Sequence, residues 1–254
     1  MATSIAIAGM LGLAAAGGML VPATDTQGSI PLPYVGVVYA PPADPVVRRR
    51  DLEEMARLRF SIVVPRGADD QLLSIDRLLA GTGDPQPSVR DGTPAVRVEV
   101  VAGREPARVS ADAWLAVARG ARSVVFEDWT TLTGDAGALA AAADFAAHLF
   151  RNAALYAPLR PRTASQVVRV LDPGSPVEAA MLESPDALVV IAVNRRGSTE
   201  PAELRFSPEV PEAIWQNMLT GGSVNFVAGP DGPAYPHTFA PHGVLVLMIQ
   251  KKWR

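Results

Sequence analysis

The sequence predicts an α/β region followed by an all-β region, and three observations carry that prediction. Between residues 34 and 156, short apolar runs alternate with segments of helical periodicity. After Ser165 the helical periodicity stops, and short apolar segments recur between Gly, Pro and Asp. The composition changes between the two regions, at Pro158-Leu159-Arg160-Pro161. With 254 residues and 48% hydrophobic content, the chain can form one large or two modest domains and bury a core.

The elements follow in order. No charged residue precedes Asp25, and no basic one precedes Arg48. Ile5 to Val21 is apolar and rich in Ala and Gly, and Val21-Pro22-Ala23 resembles a small-residue cleavage site. Residues 1–23 therefore read as a secretory signal that lacks the usual basic start, which makes the mature chain secreted or periplasmic. The alternative is a buried apolar helix or an uncleaved anchor, although a run of about 17 residues is marginal for a bilayer. No other apolar run is long enough to span a membrane, so the mature chain is expected to have no span.

Residues 24–33 are turn-rich linker. Tyr34 to Tyr39 is a nearly continuous apolar run, as expected of a buried parallel strand. Arg49 to Leu58 has helical spacing, and Phe60 to Val64 is a second strand. Asp69 or Asp70 can cap a helix whose apolar face is Leu72, Leu73, Ile75, Leu78 and Leu79, with Gly81 as its stop. A loop over Gly83 to Pro94 leads into the third strand, Ala95 to Val101. There the valines at 96, 98 and 100 share one face, and Arg97 and Glu99 share the other. Ser110 is a good cap for a helix over Ala111 to Arg119, stopped by Gly120. Ser123 to Glu127 is the fourth strand, and Ala136 to Tyr156 a long Ala-rich helix. Beyond Ser165, strands are expected near 167–171, 179–182, 187–193, 203–206, 214–219, 224–227 and 244–249. Such spacing suggests an antiparallel sandwich.

Several function classes are excluded. The net charge of −3 and the lack of an unaccompanied basic cluster argue against nucleic acid as a partner. The absence of Cys removes disulfides, thiolate nucleophiles and Cys-based zinc sites. His148, His237 and His242 fall in no ligand spacing, so no metal and no cofactor is expected. A phosphate-binding Gly loop and a Gly-x-Ser-x-Gly turn are also missing.

A family resemblance accounts for the order of the elements. GARSVVFEDW (Gly120 to Trp129) resembles the last barrel strand of retaining β-glycosidase-type glycoside hydrolases of the galactosidase superfamily. AVRVEVVAG (Ala95 to Gly103) resembles the strand before it, which carries the nucleophilic Glu. YVGVVYAPP and DLEEMARLRFSIVVP are similar to the first strand, first helix and second strand. DALVVIAVNRRG (Asp186 to Gly197) and FAPHGVLVLMI (Phe239 to Ile249) look like an accessory β-sandwich. The resemblance implies a partial (β/α) barrel over 24–160 and a β-sandwich over 161–254. It also implies a carbohydrate partner and hydrolysis of a β-glycosidic bond. A full barrel has eight strands in about 250 residues, whereas about 130 precede the sandwich here. The middle strands are therefore expected to be absent. The family's Asn-Glu acid/base pair belongs to that missing part, and no Asn-Glu dipeptide occurs in the sequence. The alternatives are a non-catalytic carbohydrate-binding or structural relic, and a half-barrel that pairs with another chain or forms a homo-oligomer through exposed barrel edges.

On this resemblance Glu99 would be the nucleophile, with Arg97 beside it; the other reading is a structural Arg97–Glu99 pair or a solvated edge. Glu127 could donate the missing proton or bond sugar hydroxyls, with Asp128 next to it. Otherwise one of the two acids caps the loop before Gly134. Alternation groups Glu127 with Val125 and Trp129, and Asp128 with Phe126. Trp129 could floor a sugar, or simply pack under a loop. Tyr39, at the end of the first strand, could face the same site.

Overall fold

Tyr34–Tyr39 (β1) is buried along its whole length, so both of its faces meet other parts of the protein. It is the middle strand of a five-stranded sheet. The chain is described by a computed structural model over residues 33–67, 72–81, 96–101, 103–162, 168–208, 210, 214–229 and 231–251. The signal-peptide reading of 1–23, the linker after it, the Asp69 or Asp70 cap and the loop 83–94 lie outside the described residues.

The first region contains β1, Pro45–Arg57 (α1), Ile62–Pro65 (β2), Leu73–Ser74 (β3), Ile75–Ala80 (α2), Val96–Val98 (β4), Pro106–Ala118 (α3), Ser123–Phe126 (β5), Trp129–Gly134 (α4), Ala136–Arg151 (α5) and Ala153–Tyr156 (α6). The sheet order is β3-β2-β1-β5-β4. β1 runs parallel to β2 and to β5, and β4 runs parallel to β5. The third and fourth strands expected from the sequence therefore do lie side by side and in parallel. One face of this sheet, with Val35, Val37, Val63, Val98, Val124 and Phe126, packs against Leu52, Met55, Trp114 and Phe145 of the helices. The other face carries a smaller cluster of Tyr34, Val38, Ile62, Val64, Leu72 and Val125.

Local chemistry sets the helix ends, and in places not where the sequence pattern suggested. α1 starts at Pro45, four residues early, because Asp44 accepts the Val46 N–H at 2.8 Å and Pro45 fits the first turn. α2 is shorter than expected: Leu73–Ser74 pairs antiparallel with β2, and Ser74 is the cap. α3 opens at Pro106, so Ser110 lies inside it and caps nothing. The long helix breaks at Asn152 into α5 and α6, and its start is fixed by Asp135, which accepts the N–H groups of Gly137 and Ala138 at 3.0 Å.

The rest is antiparallel: Arg160–Pro161 (β6), Val168–Val170 (β7), Val177–Glu183 (β8), Ala187–Asn194 (β9), Glu200–Phe206 (β10), Trp215–Asn217 (β11), Ser223–Val224 (β12), Ala234–Phe239 (β13) and Val244–Gln250 (β14). A six-stranded sheet has the order β12-β11-β14-β9-β8-β6, and a three-stranded sheet the order β13-β10-β7. Leu188, Val190 and Ala192 of β9 share a cluster with Leu204, Phe206 and Phe239 of the smaller sheet. Val189, Ile191 and Val193, on the opposite face, join the cluster of α3 and the parallel sheet. With both faces covered, β9 reads as an unbroken apolar run. Among the described residues no helix is long and apolar enough to cross a membrane.

Candidate functional site

Ligand sites of parallel α/β sheets lie at the carboxyl ends of the strands. Here those ends are Tyr39, Pro65, Val98 and Phe126, and the residues just beyond them include Arg66, Glu99, Glu127 and Asp128. Val98 pairs with Phe126, and the Glu127 N–H donates to the Val98 carbonyl at 2.9 Å. Carried one residue further, that register sets Glu99 beside Glu127. Val98 and Phe126, which precede them, are both buried in the helix-side core. Glu99 is exposed and Glu127 half-buried.

Arg97 and Glu99 open on a groove that is also lined by Arg104, Asp112 and Arg119. Arg104 fixes the end of β4. Its Nη1 donates to the Glu99 carbonyl at 2.5 Å and its Nη2 to Asp112 at 2.6 Å. Arg119 is turned away toward Glu178, which it meets with two hydrogen bonds of 2.8 and 2.9 Å.

Asp128 is held from three sides. Its carboxylate accepts from the Thr130 N–H at 3.1 Å and the Thr131 hydroxyl at 2.8 Å, and Arg66 Nη2 lies 2.9 Å away. Burial pushes this carboxyl up, but those donors outweigh it and hold it below the usual carboxylate range. It caps α4, as one of the two readings of the acids allowed. Tyr39 is 5% exposed and donates to Asp51 at 3.1 Å; burial, then the Asp51 charge, pushes its hydroxyl well above the ordinary value.

Trp129 does not share the face of Glu127. The strand ends before it, Asp128 takes φ 63° and ψ 99°, and Trp129 turns to the helix side. There it is 5% exposed and meets Phe60 edge-on at 6.1 Å, with no open ring face. The structure thus sets Glu99 and Glu127 just beyond the ends of paired strands, puts Arg97 and Glu99 in a groove shared with α3, ties Asp128 to the end of β2, and places Tyr39 and Trp129 in the core. Arg66 was missed from the sequence. Its position directly after a parallel strand was the available signal. Among the described residues no cluster of His, Asp and Glu is arranged to hold a metal.

No family model matches the chain, and no curated protein matches it. The solved structures similar to it include an alpha-amylase from Geobacillus thermoleovorans, at 9% identity and TM-score 0.46, covering 63% of this chain and 39% of that one. A GH30 endoxylanase from Clostridium papyrosolvens C71 aligns at 9% identity and TM-score 0.41, covering 63% and 42%. A catalytic mutant of a GH42 beta-galactosidase from G. stearothermophilus aligns at 13% identity and TM-score 0.23, covering 43% and 13%. These are glycoside hydrolases, and the chain spans less than half the length of each.

Proposed function

We propose that the chain is a glycosidase-like module that binds a carbohydrate and cleaves a β-glycosidic bond between Glu99 and Glu127. The observation that supports this reading is the β4–β5 register, which pairs Val98 with Phe126, so that Glu99 and Glu127 follow directly at the carboxyl ends of neighbouring parallel strands. A retaining mechanism requires the two carboxyl groups to stand roughly 5–5.5 Å apart, and an inverting one roughly 6.5–9.5 Å. In this reading Glu99, the more open of the two, attacks the anomeric carbon. Glu127 protonates the leaving oxygen and then activates the water that releases the sugar. Arg97 contacts sugar hydroxyls, while Tyr39 and Trp129 support the strand ends from within the core.

The finer fold assignment belongs to the same proposal. The order β2-β1-β5-β4 is the order of neighbouring strands around a closed barrel whose middle strands are missing. The shared cluster between the two antiparallel sheets supports a sandwich over 161–254. β4 is the outermost strand on its side of the sheet order, in keeping with association between copies along that edge. Secretion rests on the apolar stretch from Ile5 to Val21 alone.

The test is hydrolysis of a panel of aryl β-glycosides by the full chain, by Glu99→Gln and by Glu127→Gln. Each variant should lose at least about a hundredfold in kcat/KM. Equal turnover by wild type and Glu99→Gln would remove Glu99 from the mechanism. Binding of a sugar without turnover would favour the carbohydrate-binding reading.

A further inference from the structure

The two edges of the parallel sheet are unlike, and the difference determines how two copies of the chain can meet. On one side the edge of β2 is occupied by β3, which runs antiparallel to it, is two residues long and leads directly into α2. On the other side β4 ends the sheet, and among the described residues it pairs only with β5. This edge is open. Val96 is 39% exposed, Arg97 and Glu99 are exposed, and all four residues from Val96 to Glu99 line the groove against α3.

The register fixes which backbone groups this edge presents. Val98 turns its backbone toward β5: it pairs with Phe126, and its carbonyl accepts the Glu127 N–H. Backbone groups of successive strand residues alternate in direction, so those of Arg97 and Glu99 point away from β5. The Glu99 carbonyl agrees, since it meets the Arg104 guanidinium at 2.5 Å. A carbonyl oxygen has two lone pairs, so one acceptor site remains there.

The side chains along the edge are self-complementary. Val96 to Val100 reads apolar, positive, apolar, negative, apolar. Laid antiparallel on a second copy and centred on Val98, the segment sets Arg97 opposite the partner's Glu99 and Glu99 opposite the partner's Arg97. Those two positions are also the hydrogen-bonded pairs of that register. Residues directly opposite in an antiparallel pair lie on one side of the sheet, so both ion pairs can form. The exposed Val96 gains the partner's Val100 as an apolar neighbour. A parallel, in-register copy would instead bring like charges together.

We propose that the chain forms a two-fold dimer by antiparallel pairing of β4 with β4 of a second copy, held by reciprocal Arg97–Glu99 pairs. Both copies use the same surface, and β3 occupies the opposite edge, so assembly stops at two. One consequence rests on the two-acid reading of the site: the partner's Arg97 stands beside Glu99 and favours its ionised, nucleophilic form.

The experiment is sedimentation velocity on the full chain over a range of concentrations, with Arg97→Glu, Glu99→Arg and an equal mixture of the two variants. The wild type should dimerise. Each variant places like charges opposite one another in both pairs, and should self-associate at least about tenfold more weakly. Mixed, the two should form a heterodimer, because every opposing pair again has opposite signs. Should one variant fail to fold, the double exchange of Arg97→Glu with Glu99→Arg decides, and it should dimerise as the wild type does. A wild type that stays monomeric, single variants that dimerise as tightly as the wild type, or a mixture of folded variants that stays monomeric would overturn the proposal. Turnover of aryl glycosides is read separately. A dimer without turnover upholds the interface and removes the hydrolase reading, whereas turnover by a monomeric wild type overturns the interface alone.

Discussion

His148 shows how burial tunes a single residue outside the candidate site. It lies on α5 at 7% exposure, with its ring 5.2 Å from that of Trp114 and its Nε2 3.1 Å from the Tyr156 hydroxyl. Burial, with a smaller push from Arg151, lowers its pKa from 6.5 to about 4. The folded protein thus keeps His148 neutral where the unfolded chain would take up a proton. Its contribution to stability is whole above pH 6.5 and is lost as the pH falls through about 4. Allowing for partial solvent screening, the loss is roughly 2 kcal/mol. Urea unfolding at neutral and at acidic pH should show this loss in wild type and much less of it in His148→Gln; equal acid sensitivity would place its origin elsewhere. The candidate site is harder to read at this scale. The placement of Arg97 on β4 and of Glu99 just past its end was legible because alternation within a strand is regular. The fate of Trp129 was not, since one positive φ at Asp128 reverses the face of everything after it.

At the scale of elements, close approach within the sheet decides which sequences fit. β1 carries Gly36 opposite Ile62 of β2. A Cβ at Gly36 would lie 2.3 Å from Ile62 Cγ1 and 2.7 Å from the Ile62 carbonyl oxygen, so neither side chain nor backbone leaves room. Gly36→Ala should therefore push β1 from β2 and destabilise by about 1–3 kcal/mol, seen as a lower denaturant midpoint. An unchanged midpoint would mean that the strands separate without penalty. The long apolar strands were legible because β1 and β9 are buried on both faces. β13 was missed because Pro236 interrupts it, which is tolerable since β13 is the outer strand of its sheet. α4 was missed because Trp-Thr-Thr-Leu-Thr-Gly has weak helical propensity and depends on the Asp128 cap. These losses share a cause: the deciding partner lies elsewhere in the chain or in one backbone angle.

For the whole molecule, α3 is the shared wall. Ala111, Trp114, Leu115 and Val117 are all buried in the cluster that also holds Val35 and Val124 of the parallel sheet and Val189, Ile191 and Val246 of the antiparallel one. The ends of α3 are also tied to the all-β region. Glu105, just before it, lies 3.5 Å from His242, and Arg119, just after it, bonds Glu178 on β8. The Arg119–Glu178 pair is largely exposed and contributes only about 0–1 kcal/mol, so the apolar wall dominates. The sequence showed two compositions and hence two regions; it could not show that the inward face of β9 completes the core of the first. If α3 joins the two as the packing requires, they cannot unfold independently. Trp114→Ala removes a side chain that is 2% exposed at the centre of this wall and should cost about 3–5 kcal/mol. Hydrogen exchange should then speed up together at Val37 of β1 and Ile191 of β9, and calorimetry should show one shifted transition. Faster exchange confined to one sheet, or two separated transitions in the wild type, would show two units that merely touch.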